Sequence, residues 1–248
     1  MAFFDIDIPT AIKLCAMADL SIVALLWLYR YEGGSKRALS FFVSGQFLRA
    51  LGMSLISFRG IIPLLLYARE NTISADAVEI QPDMADMAAR SMAMNGLNEK
   101  IRVLPGDLRS IRTLLPHARY DLVTCNPPYG KAGGTLLNPD ASKRLARHEE
   151  SCAIEDVACA AAWLLQNGGR LCCVFPAARM IELSDAMRKY RMAPKRIRMV
   201  HSRVEKAAHL CLMEGMLDAR PGLIIEPPLV IYDENNAYTP ELRRIYGL

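Results

Sequence analysis

Four consecutive residues, Asn126-Pro127-Pro128-Tyr129, carry the clearest chemistry in this chain. They follow an apolar run, Tyr120 to Cys125, that reads as a buried strand. The exocyclic amine of adenine is a poor nucleophile, because its lone pair is delocalised into the ring. An Asn side-chain oxygen and the carbonyl of the next residue can each accept one N–H of such an amine and localise that lone pair. Two prolines lack N–H donors and restrict the backbone, so the carbonyl stays aimed outward. Tyr129 offers a flat face on which a base can stack. The plainer alternative for the motif is a rigid turn after an edge strand.

Two acids stand where earlier strands end. Glu79 closes the run Ile73 to Ile80, and a carboxylate there can accept both hydroxyls of a ribose. Asp107, in Gly106-Asp107-Leu108, can accept an adenine amine while Leu108 packs on the ring. Each is ordinary alone; on three successive strand ends, Glu79, Asp107 and Asn126 form one nucleoside-shaped set. The cofactor set read from these positions is Gly60, Glu79, Ile80, Asp107, Leu108 and Asn126.

The elements that must position them alternate. Helices are predicted over Gly60–Glu70, Pro82–Asn95, Leu108–Leu115, Ile154–Gln166 and Ala177–Tyr190. Strands are predicted over Ile73–Ile80, Ile101–Leu104, Tyr120–Cys125, Arg170–Phe175, Ile197–His201 and Ala208–Glu214, with extended chain from Leu223 to Tyr232 broken by Pro227-Pro228. A loop is predicted over Gly130–His148. This alternation implies a mostly parallel three-layer α/β sheet, with ligands at the carboxyl ends of its strands. The 248 residues are 52% hydrophobic, enough for a sizeable core, and the net charge of +4 permits nucleic acid as a partner without demanding it. Seven cysteines without a Cys-x-x-Cys pair read as small core residues in a reducing cytoplasm, and four histidines without metal-ligand spacing imply no metal. The apolar stretch Ala11 to Tyr29 is interrupted by Lys13 and Asp19 and is too short to span a membrane.

From Gly60 onward the chain resembles bacterial tRNA (adenine-N(6))-methyltransferases. The resemblance rests on Gly60-IIPLLL, Val78-EIQPDMADMAARSMAMNG, Gly106-DLR, Asn126-PPY, Arg147-HE and the tail Pro227-PLVIYDENNAYTPELRRIYG. It implies a Rossmann-like class I methyltransferase fold, with a mostly parallel seven-stranded sheet and helices on both faces. It also implies S-adenosylmethionine as cofactor and, as substrate, an adenosine beside the anticodon of a valine tRNA. Asn126, Pro127, Pro128 and Tyr129 would then be the catalytic residues. Asn-Pro-Pro-Tyr is shared with protein glutamine methyltransferases, so that activity is the alternative enzyme reading. Residues 1–59 do not resemble the family, whose first strand ends in a glycine-rich turn. The chain has Leu55, Ile56 and Phe58 between Gly52 and Gly60, and bulky side chains do not suit a tight cradle. A shifted upstream reading frame joining near Arg59-Gly60 would account for this. So would a divergent N-terminus, in which case the chain would be a catalytically inactive RNA-binding remnant.

A basic stretch from Arg188 to Lys206 includes Arg188, Arg191, Lys195, Arg196 and Arg198, with Glu205 as its only acid. It is expected to track phosphates. Lys131, Arg147 and His148 follow the motif and are expected to clamp RNA beside the target.

Overall fold

A computed structural model describes residues 74–127 and 152–246, and the backbone of residues 37–42. The predicted helix at Gly60–Glu70 and the predicted loop at Gly130–His148 lie outside the described residues.

The described elements, in chain order, begin with β1 (Arg37–Phe42), β2 (Ser74–Glu79), α1 (Pro82–Met94) and β3 (Ile101–Pro105). A 3-10 turn (Leu108–Ser110) leads into the single-turn helix α2 (Ile111–Leu114), then β4 (Tyr120–Cys125). α3 (Ile154–Leu164), β5 (Leu165–Pro176) and α4 (Met180–Lys189) follow, and then β6 (Met192–His201), β7 (Leu210–Leu217), β8 (Ile224–Val230) and α5 (Pro240–Tyr246). α1 shows why local sequence suffices for many of these. Pro82 supplies a preset φ at the first turn, where no N–H is needed, and Asp83 faces the helix's positive end. Ala85, Ala88, Ser91 and Met92 form the buried stripe, and Gly96, at φ 68°, takes the left-handed position just past the end.

The sheet order is β3-β2-β1-β4-β5-β7-β6-β8. β3, β2, β1, β4 and β5 run parallel; β7 is antiparallel to both β5 and β6; β8 runs parallel to β6. The register aligns one edge: Phe42 pairs with Glu79, Glu79 with Pro105, Phe41 with Cys125, and Cys125 with Cys173. β1 comes from the N-terminal segment that does not resemble the family, and it fills the place between β2 and β4. A polar strap crosses it. The Tyr120 hydroxyl on β4 donates to Asp76 on β2, whose other oxygen accepts from Arg102 Nε on β3 at 2.7 Å.

Successive β5 residues feed two cores, as a period of two requires. Leu171, Cys173 and Phe175 pack with Val157, Ala161 and Leu164 of α3 and Leu183 and Met187 of α4. Val174 joins Val200, Leu212, Leu229 and Leu242 of α5 on the other face.

Among the described residues the sheet has eight strands, where seven were expected. The stretch read as extended chain broken by Pro227-Pro228 becomes the edge strand β8, a position where missing N–H donors are tolerated. Arg198 completes that edge from within. It is buried, its guanidinium donates to the Pro227 carbonyl (2.9 Å) and the Pro228 carbonyl (3.4 Å), and it pairs with both carboxylate oxygens of Glu241 on α5 at 2.8 Å. α5 was not anticipated; the Thr239 hydroxyl caps it by accepting the Leu242 N–H at 3.4 Å. β5 starts at Leu165, earlier than expected, because its polar Gln166-Asn167-Gly168-Gly169 stretch is a bulged part of the ladder rather than a turn.

Arg198 is therefore structural. Arg198→Ala is expected to lower the unfolding free energy by about 2–4 kcal/mol in urea denaturation, since it strands two carbonyls and a carboxylate. Glu241→Gln, at a half-exposed partner, is expected to lower it by less than about 1 kcal/mol.

Candidate active site

The described polar residues of the cofactor set sit at the carboxyl edge of the parallel strands. Glu79 is the last residue of β2, Asp107 stands two residues past β3, and Asn126 follows directly on β4. With strands about 4.8 Å apart, the β2 and β4 ends are roughly 10 Å from each other, across β1.

Glu79 is 6% exposed. Its Oε1 accepts the Gln81 N–H at 2.9 Å, where the chain turns from β2 into α1. No cation pairs with it among the described residues. Burial pushes its pKa up from 4.5 to about 7, against the opposing pull of the Gln81 and Ile80 backbone N–H groups. Such a carboxylate is short of donors, and neutral hydroxyls can supply them without adding charge.

Asp107 caps the 3-10 turn by accepting the Arg109 N–H at 2.9 Å. The Arg109 guanidinium also reaches back to both its oxygens, with Nε at 3.0 and 2.9 Å. The sequence reading missed Arg109; an acid opening a tight turn with an arginine two residues on is the signal that could have found it. The pair is partly exposed, so a further donor reaching Asp107 would share or displace one of the arginine contacts. Leu108 beside it is buried and Ile80 half-buried, giving the edge apolar surface next to its acceptors.

Asn126 is half-buried and Pro127 is buried. The strand behind them is apolar and its Cys125 is fully enclosed; burial holds that thiol well above its usual range, so it stays neutral beside the site. Pro128, Tyr129, Lys131, Arg147, His148 and Gly60 lie outside the described residues. The donor set could hold the ribose and adenine of S-adenosylmethionine, with Glu79 available to the diol, Asp107 to the amine, and Ile80 and Leu108 to the ring. Among the described residues, no group of three or more potential ligands could hold a metal, and no helix is long and apolar enough to cross a membrane.

The expected RNA-tracking stretch does not join this edge as one surface. α4 begins after β5 leaves the carboxyl edge and returns the chain to the start of β6, which runs parallel to β5. Arg188 and Arg191 therefore lie near the amino edge, roughly 20–25 Å along the strands from the level of Asn126, while Lys195 stands between the two edges, since Ile197 is level with Cys125. Arg196 is taken up by Glu226, which accepts from its Nε at 2.7 Å, and Arg198 by Glu241. Contiguity in sequence reads as one basic face, but a strand that crosses the sheet divides it.

No protein-family model matches the chain. The tRNA1(Val) (adenine(37)-N6)-methyltransferase of Porphyromonas gingivalis is 30% identical over 193 residues, covering 75% of this chain and 74% of that protein. The protein of that name from Tolumonas auensis is 33% identical over 186 residues, covering 73% of this chain and 74% of its own. A solved structure described as a predicted O-methyltransferase from Agrobacterium tumefaciens superposes with a TM-score of 0.66 at 19% identity, over 90% of this chain and 94% of that one. The fold is that of the Rossmann-like class I methyltransferases. On the identity and coverage of these relatives, the chain belongs to the tRNA1(Val) (adenine(37)-N6)-methyltransferase family.

Proposed function

We infer that this protein transfers a methyl group from S-adenosylmethionine to the exocyclic amine of an adenosine in tRNA, the relatives' name pointing to position 37 of a valine tRNA. The observation that carries the reading is the alignment of Glu79, Asp107 and Asn126 at the ends of β2, β3 and β4 along one parallel sheet edge. The bound cofactor supplies an electrophilic methyl on a sulfonium.

The chain's own residues bind and orient. Glu79 accepts the ribose hydroxyls, and Asp107 accepts the amine of the cofactor's adenine. The Asn126 side-chain oxygen and the Pro127 carbonyl accept the two N–H bonds of the target amine and hold its lone pair toward the edge. Tyr129 stacks the target base, which an anticodon loop presents partly unstacked. The reaction needs no strong general base, because the amine's proton can leave after methyl transfer. Positioning supplies most of the catalysis.

Labelled methyl transfer, followed by nucleoside digestion of the tRNA, tests the reading. Label is expected in N6-methyladenosine; label in protein glutamine instead would overturn it. In the same assay Asn126→Ala is expected to slow single-turnover transfer by about 100-fold or more while tRNA affinity stays near wild type. Unchanged single-turnover rates would remove Asn126 from its role.

Glu79 sets a pH dependence of the cofactor-free protein. Its folded pKa of about 7 lies above the ordinary 4.5, so the protonated form is the one the fold favours. That contribution is fully present below about pH 4.5 and is lost as pH rises through about 7. Thermal or urea unfolding from pH 5 to 8 is expected to show a loss on the order of 3 kcal/mol in the wild type that Glu79→Gln lacks. Parallel pH profiles would contradict the burial argument.

A further inference from the structure

The amino edge of the sheet, opposite the site, gathers cations from four separate segments. Arg119 leads into β4, Arg188 and Lys189 end α4, Arg191 precedes β6, and Arg220 lies between β7 and β8. β4, β5, β7 and β6 are neighbours in the sheet, so these positions span about 14 Å, three strand spacings, of one edge.

Two acids on this edge are already engaged. Asp121 accepts from Gln166, and Asp218 pairs with Arg191 at 2.6 Å. Among the described residues no carboxylate pairs with Arg119, Arg188, Lys189 or Arg220, and Arg119, Arg188, Lys189 and Arg220 are all exposed. The backbone adds an independent observation. Arg191 (φ 64°) and Asp218 (φ 56°) both hold left-handed conformations that glycine adopts at less cost, and the Asp218 N–H donates to the Arg191 carbonyl at 2.9 Å. The Arg191 side chain is 76% exposed despite its ion pair. The paired turns hold a cation outward rather than folding it in, whereas Arg196 and Arg198 farther along the same strand are drawn into the core.

We propose that this amino edge is a second contact surface for the same tRNA, one that grips phosphates of the RNA outside the anticodon loop. The proposal rests on the tRNA reading above and extends it. The carboxyl edge takes the target base, and the amino edge, about 20 Å away along β4, takes the body of the molecule. An array of exposed arginines and lysines suits a phosphate backbone, whose contribution to affinity is sequence-independent and salt-sensitive.

Binding without cofactor tests it, which keeps the result independent of catalysis. Full-length valine tRNA and its isolated anticodon stem-loop are titrated, across a salt series, against the wild type and an Arg119→Gln/Arg188→Gln/Arg220→Gln variant whose fold is checked by circular dichroism. The variant is expected to bind full-length tRNA about 10- to 100-fold more weakly near 100 mM salt. The slope of log affinity against log salt should fall by roughly 2 to 3, and stem-loop affinity should be unchanged. Full-length affinity and slope equal to wild type would overturn the surface. Equal weakening for both RNAs would overturn its assignment to the tRNA body. A wild type that binds neither RNA would instead overturn the tRNA reading beneath the proposal.

Discussion

The constraint on which the rest depends is the register of four parallel strands. Phe42, Glu79 and Pro105 lie side by side, and Cys125 is level with them one residue away along β1. Because side chains alternate across a strand, a slip of one residue would carry the Glu79 carboxylate to the opposite face of the sheet. The polar strap of Tyr120, Asp76 and Arg102 ties β4, β2 and β3 together across β1. It therefore acts on the register that brings the acceptors to one edge.

Burial has opposite consequences at two acid–base positions. Arg198 is buried with a carboxylate and two proline carbonyls to receive its donors, and it locks β8 and α5 onto the sheet. Glu79 is buried about as deeply, with one backbone N–H on Oε1 and no cation among the described residues, and its proton affinity rises instead. The first arrangement is complete within the chain. The second is one that hydroxyl donors from outside can complete, which is why the buried acid marks the site and the buried base marks the scaffold.

The sequence made the β2 and β4 ends legible because each is an apolar run stopped by a polar residue, and Pro82 and Gly96 bracket α1 as they should. β8 was obscured by prolines that forbid a central strand but allow an edge one. α5 was obscured because its seven residues fold against a small core built mainly by distant strands. The basic stretch was legible as charge but not as place. Only the crossing of β6 from one edge to the other separates Arg188 and Arg191 from the target base, and only tertiary pairing reveals that Arg196 and Arg198 are committed to Glu226 and Glu241. β1, in the segment that does not resemble the family, is defined by its neighbours on both sides rather than by its own pattern.

The most direct test of the account is calorimetric titration of S-adenosylmethionine near pH 6.5 in two buffers of different ionisation enthalpy. If the Glu79 carboxylate receives the ribose hydroxyls, cofactor binding converts a mostly protonated acid into a carboxylate. Wild-type protein should then release roughly 0.7 proton per cofactor bound, and Glu79→Gln should bind more weakly with no release. Binding that releases no proton and is indifferent to Glu79→Gln, or no binding at all, would contradict the account.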